Sequence, residues 1–495
     1  MNRYDILPLA SPHAPLVSAP VASWEGDQPR EAGRPRLLSL CVPAPGLTAA
    51  AFLRQARGQE RFYWAEPGDG QLLAGAGVAA EVVAPPVLCD EEGPAPLPAQ
   101  RFDDVAAAAL ALFDGVLVRS LSAAGSASGG GEARPRLFGG FAFQDDFVPD
   151  NTWSVFNPAE FVLPHYQFAQ RGDDRWLTIN ALVDPADDLD ATWHGLGEAL
   201  AARLALAAEG LSQTLPTGSL HFPLSFDQWR EMIQRATGVI RAGLLDKVVL
   251  ARVCELQAAG PIDAAAALEY LDTAYSDSYR FLFEPRPGHA FFGATPELLV
   301  RKSGRDVETM ALAGSIARGR NPEHDQALAE ELLASAKDRH EHQLVVDAVR
   351  RHMAGIMEDL SVAEFPSVRR LRNIQHLLTP ISGTLRDPDV GIIPLVRRLH
   401  PTPALGGEPS DRALAFLRHA EPVPRGWYAG PIGWLDGAQD GVFAVAIRSA
   451  VTQHDRAWLY AGAGIVADSL PAREWAETAL KFRPMLGALG AEDLV

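Results

Sequence analysis

Cysteine is scarce in this chain, with three in 495 residues: Cys41, Cys89 and Cys254. They lie far apart and form no metal-ligand spacing, and an odd, sparse count argues against a disulfide framework and fits a reducing compartment. No stretch is long and apolar enough to span a bilayer. The opening MNRYDILPLASPHAP lacks the basic start and apolar run of a secretory signal. Positive charge is also in deficit, 44 Lys and Arg against 62 Asp and Glu, for a formal charge of -18. Such a surface repels phosphate backbones and anionic lipids, which argues against nucleic acid and membrane as partners. A small anionic substrate would need a local basic site or a metal ion. There is no G-x-G-x-x-G and no Walker-type motif, so nucleotide binding lacks support. The expectation is a cytoplasmic protein.

What is present is an ordinary globular balance, 47% hydrophobic and 21% charged. The length suits two to four domains or one large fold. Residues 1–35 are rich in Pro and Ala and read as a loosely held N-terminal arm. Strands are predicted over 61–67, 71–83, 136–146 and 176–182, and helices over 103–121 and 190–209. A Gly/Ser-rich loop covers 122–136, and 210–224 reads as a connection between two halves. In the second half, a helix over 227–244 precedes a strand over 247–256. One long amphipathic helix is predicted from 322 to about 360, with Leu328, Leu332, Leu333, Leu344, Val345, Val349 and Met353 on its apolar side. Strands follow over 426–435, 442–451 and 457–465, and a last helix starts near Ser469 and Pro471. Strands and helices are mixed rather than strictly alternating, which favours α+β with antiparallel sheets.

Several groups could carry chemistry. Asp338 and Glu341 in SAKDRHEHQLVV, and Glu474 and Glu477 in PAREWAETALK, are acidic pairs at i, i+3. Helical spacing puts each pair on one face. Either they are solvated charges, or two acidic faces meet in a cleft and require a hard divalent cation such as Mg²⁺. Lys247 opens the strand KVVLAR. It is an exposed edge lysine or a partly desolvated one able to act as a base. Glu297 in FFGATPELLV follows Pro296 among apolar residues, as a turn carboxylate or as a general acid that keeps its proton. ALAGS (311–315), LGGEP (405–409) and AGAGI (461–465) read as tight turns or as backbone donors to a carboxylate. Arg448, within apolar VFAVAIRSA, needs an anion, either an internal carboxylate or one on a substrate.

The order of these segments resembles the chorismate-utilising enzymes. KVVLAR, FGATPELLV, ALAGS, KDRHEHQLVV, QHLLTPISG, LHPTPALGGEP, RGWYAGPIGW, AIRS, AGAGI and EWAETALK carry the likeness, over roughly residues 226–487. RFYWAEP and LFGGFAF look like the variable N-terminal half of the same fold. The resemblance implies one large α+β domain of two packed antiparallel sheets with outer helices, its halves at 36–224 and 225–490. It implies Glu341 and Glu477 as direct Mg²⁺ ligands, with Asp338 and Glu474 acting through water. It implies that Ser315, Arg448, Lys481 and the backbone of Gly464 hold substrate carboxylates, and that His376 and Tyr428 line the cleft.

Within that family, Lys247 points to water rather than ammonia as nucleophile. Ala404, in LHPTPALGG, stands where salicylate synthases tend to carry threonine. The resemblance therefore implies a monomeric isochorismate synthase that isomerises chorismate with Lys247 as base and Glu297 as acid. The competing readings are salicylate synthase, an amine-adding synthase and a non-catalytic chorismate-binding protein. Isochorismate is a starting point for both menaquinone and catecholate siderophores.

Overall fold

Alternation of side chains sorts the central strands. In the strand Arg61–Ala65, Phe62 and Trp64 enter one apolar core, while Tyr63 and Ala65 enter a second. Tyr279–Arg286 repeats the pattern, with Phe281 and Phe283 on one side and Leu282 on the other. Successive strand residues point to opposite faces, so strands apolar at every position must be covered on both sides.

The computed structural model describes residues 35–68, 70–84, 100–121, 133–206 and 218–494. The expected arm, apart from residue 35, lies outside the described residues, as do most of the Gly/Ser-rich loop and part of the connection between halves. The strands Leu72–Ala84 and Ala159–Arg171 pair along their length, and the sheet forks from them. One limb runs through Arg61–Ala65, Tyr279–Arg286, His289–Thr295, Ser449–Gln453, Arg456–Ile465 and Lys247–Ala258. The other runs through Arg136–Phe141, Pro431–Asp436, Gly441–Val445, Leu298–Ser303, Asp306–Ala317 and Ile374–Leu385. All these pairings are antiparallel; Arg36–Pro43 against Leu117–Ser120 is a parallel exception.

One core takes Phe283 and Tyr460 from the first limb and Phe138 and Phe443 from the second, so the limbs face each other across it. The other core lies outside the first limb, under Phe52, Leu268 and Phe482 of three helices. This is the α+β arrangement of antiparallel sheets with outer helices that the mixed element order implies.

Several boundaries differ from expectation. The helix predicted over 103–121 is Gln100–Phe113, ended by Gly115 at φ +63, and Leu117–Ser120 is a strand. The connection over 210–224 contains a strand, Gly218–His221, paired with Lys247–Ala258. The long helix from 322 is two helices, Pro322–Ala334 and Ala336–Ala354, followed by the strand Met357–Val362. Ser335 separates them: it has extended backbone, and its hydroxyl accepts from the Asp338 amide, giving the second helix its own N-cap. Leu333, expected on the apolar side, is exposed; Asp325, Ala329 and Leu332 form the buried side of its helix.

One buried carboxyl makes the fold sensitive to pH. Burial pushes Glu160 up to about 7, against the opposing hydrogen bonds from Asn157. A folded pKa above the unfolded one gives stability that is present in full below the unfolded value and is lost as pH rises through 7. Glu160→Gln should melt like the wild type near pH 4. By pH 9 it should be more stable by about 2–3 kcal/mol, as read from denaturant unfolding at both pH values.

Candidate active site

Side chains converge on a cavity of about 590 Å³ of atom-free space between the facing strands. A bulge sets one wall. Register between Asp306–Ala317 and Ile374–Leu385 slips between Ala313 and Ser315, where Gly314 sits at φ +76. An extra residue at positive φ re-aims the side chains that follow. Ser315 thereby faces the cavity opposite His376, its register partner. ALAGS and AGAGI, expected as turns, are in fact inside the strands Asp306–Ala317 and Arg456–Ile465. Their small residues let side chains from other elements come close to the sheet.

Arg448, expected inside a strand, sits in the bend between Gly441–Val445 and Ser449–Gln453 at φ +50. A non-glycine residue in this region is strained, and such residues gather at functional sites. Its guanidinium is buried and lines the cavity. It donates to Nε2 of His376 at 3.1 Å, while Nδ1 of His376 lies 3.2 Å from the Gly314 carbonyl. Nε2 must accept, so Nδ1 carries the proton and the ring is neutral. Burial and the charge of Arg448 hold His376 well below the usual histidine range. Among the described residues Arg448 has no carboxylate in ion-pair contact, so the internal salt bridge considered from the sequence is not there.

Lys247 is not an exposed edge lysine; it is 0% exposed. The strand Lys247–Ala258 is covered by Arg456–Ile465 and by the short strand Gly407–Glu408. Nζ lies 2.9 Å from Oε1 of Glu341, at an angle that makes no hydrogen bond. Gly464 permits this approach: a Cβ there would lie 2.1 Å from Oε1 of Glu341. Glu297 is buried on the bend between two strands, its amide donating to Oγ1 of Thr295 and its carbonyl accepting from Val445. Burial raises it to about 8, against the pull of Lys247, Lys481 and Arg448. It lines the cavity with its proton on at neutral pH.

The acidic pairs do turn inward, and each carboxylate is already engaged. Glu474 takes Lys337 at 2.9 Å, Glu477 takes Lys481 at 2.6 Å, and Asp338 accepts from the Ser335 hydroxyl. Burial raises Glu474, and neighbouring Glu477 adds to the rise. Burial also raises Asp338, helped by Glu341. Burial acts the same way on Glu477, but Lys481 and the Ser315 hydroxyl outweigh it and bring it down. Burial opposes the charge on Lys337, yet Glu474, Glu341 and Glu477 together hold its ammonium above the usual lysine range.

Among the described residues no three acidic, His or Cys side chains meet in an arrangement that would hold a metal ion. The donor chemistry nevertheless fits a hard divalent cation: all the donors are carboxylate oxygens. Three of them act on one ammonium, which marks a place where positive charge is favoured.

Ser315, His376, Ala404, Tyr428, Arg448, Gly464, Glu297, Glu341, Glu477 and Lys481 all line this cavity. Lys247, Asp338 and Glu474 are not among the lining residues; Lys247 stands one layer back, against Glu341. Sequence reasoning missed two participants. Tyr460 stacks on Tyr428 with ring centres 5.1 Å apart and shares the wall; alternation from Gly462 and Gly464 on the same strand could have pointed to it. Lys337, one residue before Asp338, is the cation nearest Glu474; a lysine inside an acidic helix face was the available signal.

Comparison with known proteins gives the family of the chain. Residues 23–490 match the family described as chorismate binding enzyme. The isochorismate synthase MenF of Bacillus subtilis is 38% identical over 358 residues, covering 72% of this chain and 75% of that protein. The salicylate biosynthesis isochorismate synthase of Pseudomonas aeruginosa is 40% identical over 371 residues, 73% and 75% of the two chains. The solved structure of MenF, the menaquinone-specific isochorismate synthase from Escherichia coli, superposes with a TM-score of 0.74 at 26% identity. That match covers 93% of this chain and 96% of the other.

The close approach at Gly464 can be tested. Gly464→Ala should fold with a melting temperature near wild type, because the clashing atom is the mobile end of Glu341. Turnover should fall at least about tenfold as the added methyl displaces the Glu341 carboxylate from its place in the cavity wall, a barrier higher by ~1.4 kcal/mol or more. Melting curves and steady-state assays on the same preparation separate the two effects.

Proposed function

We propose how this cleft works from one premise: the chain belongs to the chorismate-binding enzymes and, among them, to the isochorismate synthases. The reaction adds water at C2 of the chorismate ring and expels the C4 hydroxyl, with the ring double bonds shifting between. A C–O bond forms at C2 and another breaks at C4. One water enters and one leaves, so nothing is consumed.

Lys247 acts as the base that takes a proton from the incoming water. Glu297, holding its proton, gives it to the departing hydroxyl. A base and a protonated acid at one site is the arrangement such chemistry needs. Arg448 binds a substrate carboxylate, with the backbone at Gly464 beside it. The observation that carries this reading is Arg448 itself, a buried guanidinium in the cavity whose recorded side-chain partner is a neutral histidine. An uncompensated buried charge is costly, so its partner is the anionic substrate. Ser315, His376, Tyr428 and Lys481 orient the ring and its second carboxylate.

Glu341 and Glu477 would hold Mg²⁺ directly, with Asp338 and Glu474 supporting it through water. Bound there, it supplies positive charge to the ring carboxylate. The enzyme works as a cytoplasmic monomer on a free small molecule. No helix among the described residues is long and apolar enough to cross a membrane. Ala404 lines the cavity where salicylate synthases tend to carry threonine, so the reaction stops at isochorismate without eliminating pyruvate.

Incubation with chorismate and Mg²⁺, followed by chromatography, should give isochorismate; salicylate fluorescence would instead identify the lyase, and no product a binding protein. Lys247→Ala and Glu297→Gln should each lower kcat by about 10²–10⁴-fold while remaining folded by circular dichroism. Near-normal turnover in either variant removes the role assigned to it. Because Glu297 must be protonated, activity should decline as pH rises through about 8. A chelator should abolish turnover, and calorimetry of Glu341→Ala should register weakened Mg²⁺ binding.

A further inference from the structure

A second cavity, of about 610 Å³ of atom-free space, adjoins the first. The same three elements wall both. On Asp306–Ala317, Ser315 lines the first cavity and Ala317 the second, two residues along and so on the same face. Near the start of Ile374–Leu385, His376 lines the first, while Arg372 and Asn373 line the second. On the helix Pro471–Ala488, Lys481 lines the first, and Leu480 and Arg483 line the second. Nδ2 of Asn373 donates to the Leu480 carbonyl at 2.8 Å, tying the turn to the helix across this wall. Tyr275, also in the second cavity, lies near enough to Arg448 for each to perturb the other.

The charge in this second cavity runs against that of the molecule. Its ionisable lining is Arg318, Arg372, Arg483 and Glu492. Arg318 is bound to Asp325 through two nitrogens. Arg372 and Arg483 are exposed and form no ion pair with a carboxylate among the described residues. Chorismate carries two carboxylates, and a chain of net charge -18 repels it at long range. Arg483 lies two residues from Lys481 and Arg372 four residues from His376, a spacing on the order of one Debye length, about 8 Å, at physiological salt.

We propose that the second cavity is an anion-receiving vestibule in which Arg372 and Arg483 capture the substrate's carboxylates and pass them to Ser315 and Arg448. This rests on the reading of the first cavity as the chorismate site. The vestibule acts on capture and not on bond breaking, so it raises kcat/KM and leaves kcat alone.

The test is the salt dependence of isochorismate formation by wild type and by the double variant Arg372→Glu, Arg483→Glu. At low sodium chloride the variant should lose roughly tenfold in kcat/KM with kcat within about twofold, the low end of electrostatic steering. High salt should close most of the gap. Equal kcat/KM at low salt, or a loss that salt does not relieve, overturns the vestibule. If the reversed variant fails to fold by circular dichroism, Arg372→Gln with Arg483→Gln carries the test, with a drop of about threefold expected and no drop refuting it. Wild-type protein that makes no isochorismate would overturn the reading of the first cavity instead, so the two failures are distinct.

Discussion

Charge neutralisation in a confined space governs this molecule. Four carboxylates and several cations are gathered where water is largely excluded, and an ionised group there is tolerated only beside an opposite charge or a matched donor. Lys247 faces Glu341, Lys337 faces Glu474, and Lys481 faces Glu477. Arg448 stands outside this pairing, with a neutral histidine for company. An entering dianion therefore meets a charge balance that is closed on the acidic side and open at the arginine.

Backbone geometry makes that gathering possible. Gly314 at positive φ turns Ser315 inward, Arg448 holds a strained conformation that aims its side chain at the cavity, and Gly464 leaves room for Glu341 against the sheet. A strained non-glycine residue costs about 1–3 kcal/mol. The two large apolar cores on either face of the first limb supply the rigidity that holds it in place.

Much of this was legible in the sequence. The acidic pairs at i, i+3 located both helix faces, and strand alternation placed Lys247. Proline before Glu297 and apolar residues around it pointed to a carboxyl that keeps its proton. Other features were not legible. Helical periodicity runs straight through Ser335, because a cap at the junction preserves the apolar spacing on both sides. ALAGS and AGAGI read as turns because glycine is the usual turn signal; in the structure it permits close packing, which depends on partners distant in sequence. The burial of Lys247 depends on two covering strands that local pattern cannot name. The pairings of Lys247 with Glu341 and of Lys337 with Glu474 arise from tertiary proximity, the second across 137 positions.

The forked sheet has a consequence for how the chain can be divided. Arg61–Ala65 pairs with Tyr279–Arg286, and Arg136–Phe141 with Pro431–Asp436, so each limb is stitched across the midpoint of the polypeptide. Cutting the chain near residue 225 would not release a free-standing catalytic module. It would strip two long strands of their neighbours and leave rows of unmet backbone donors and acceptors flanked by aromatic side chains. Such bare edges recruit other chains. The early half contributes no residue to the cavity lining, yet its strands close the sheet edges of the half that does.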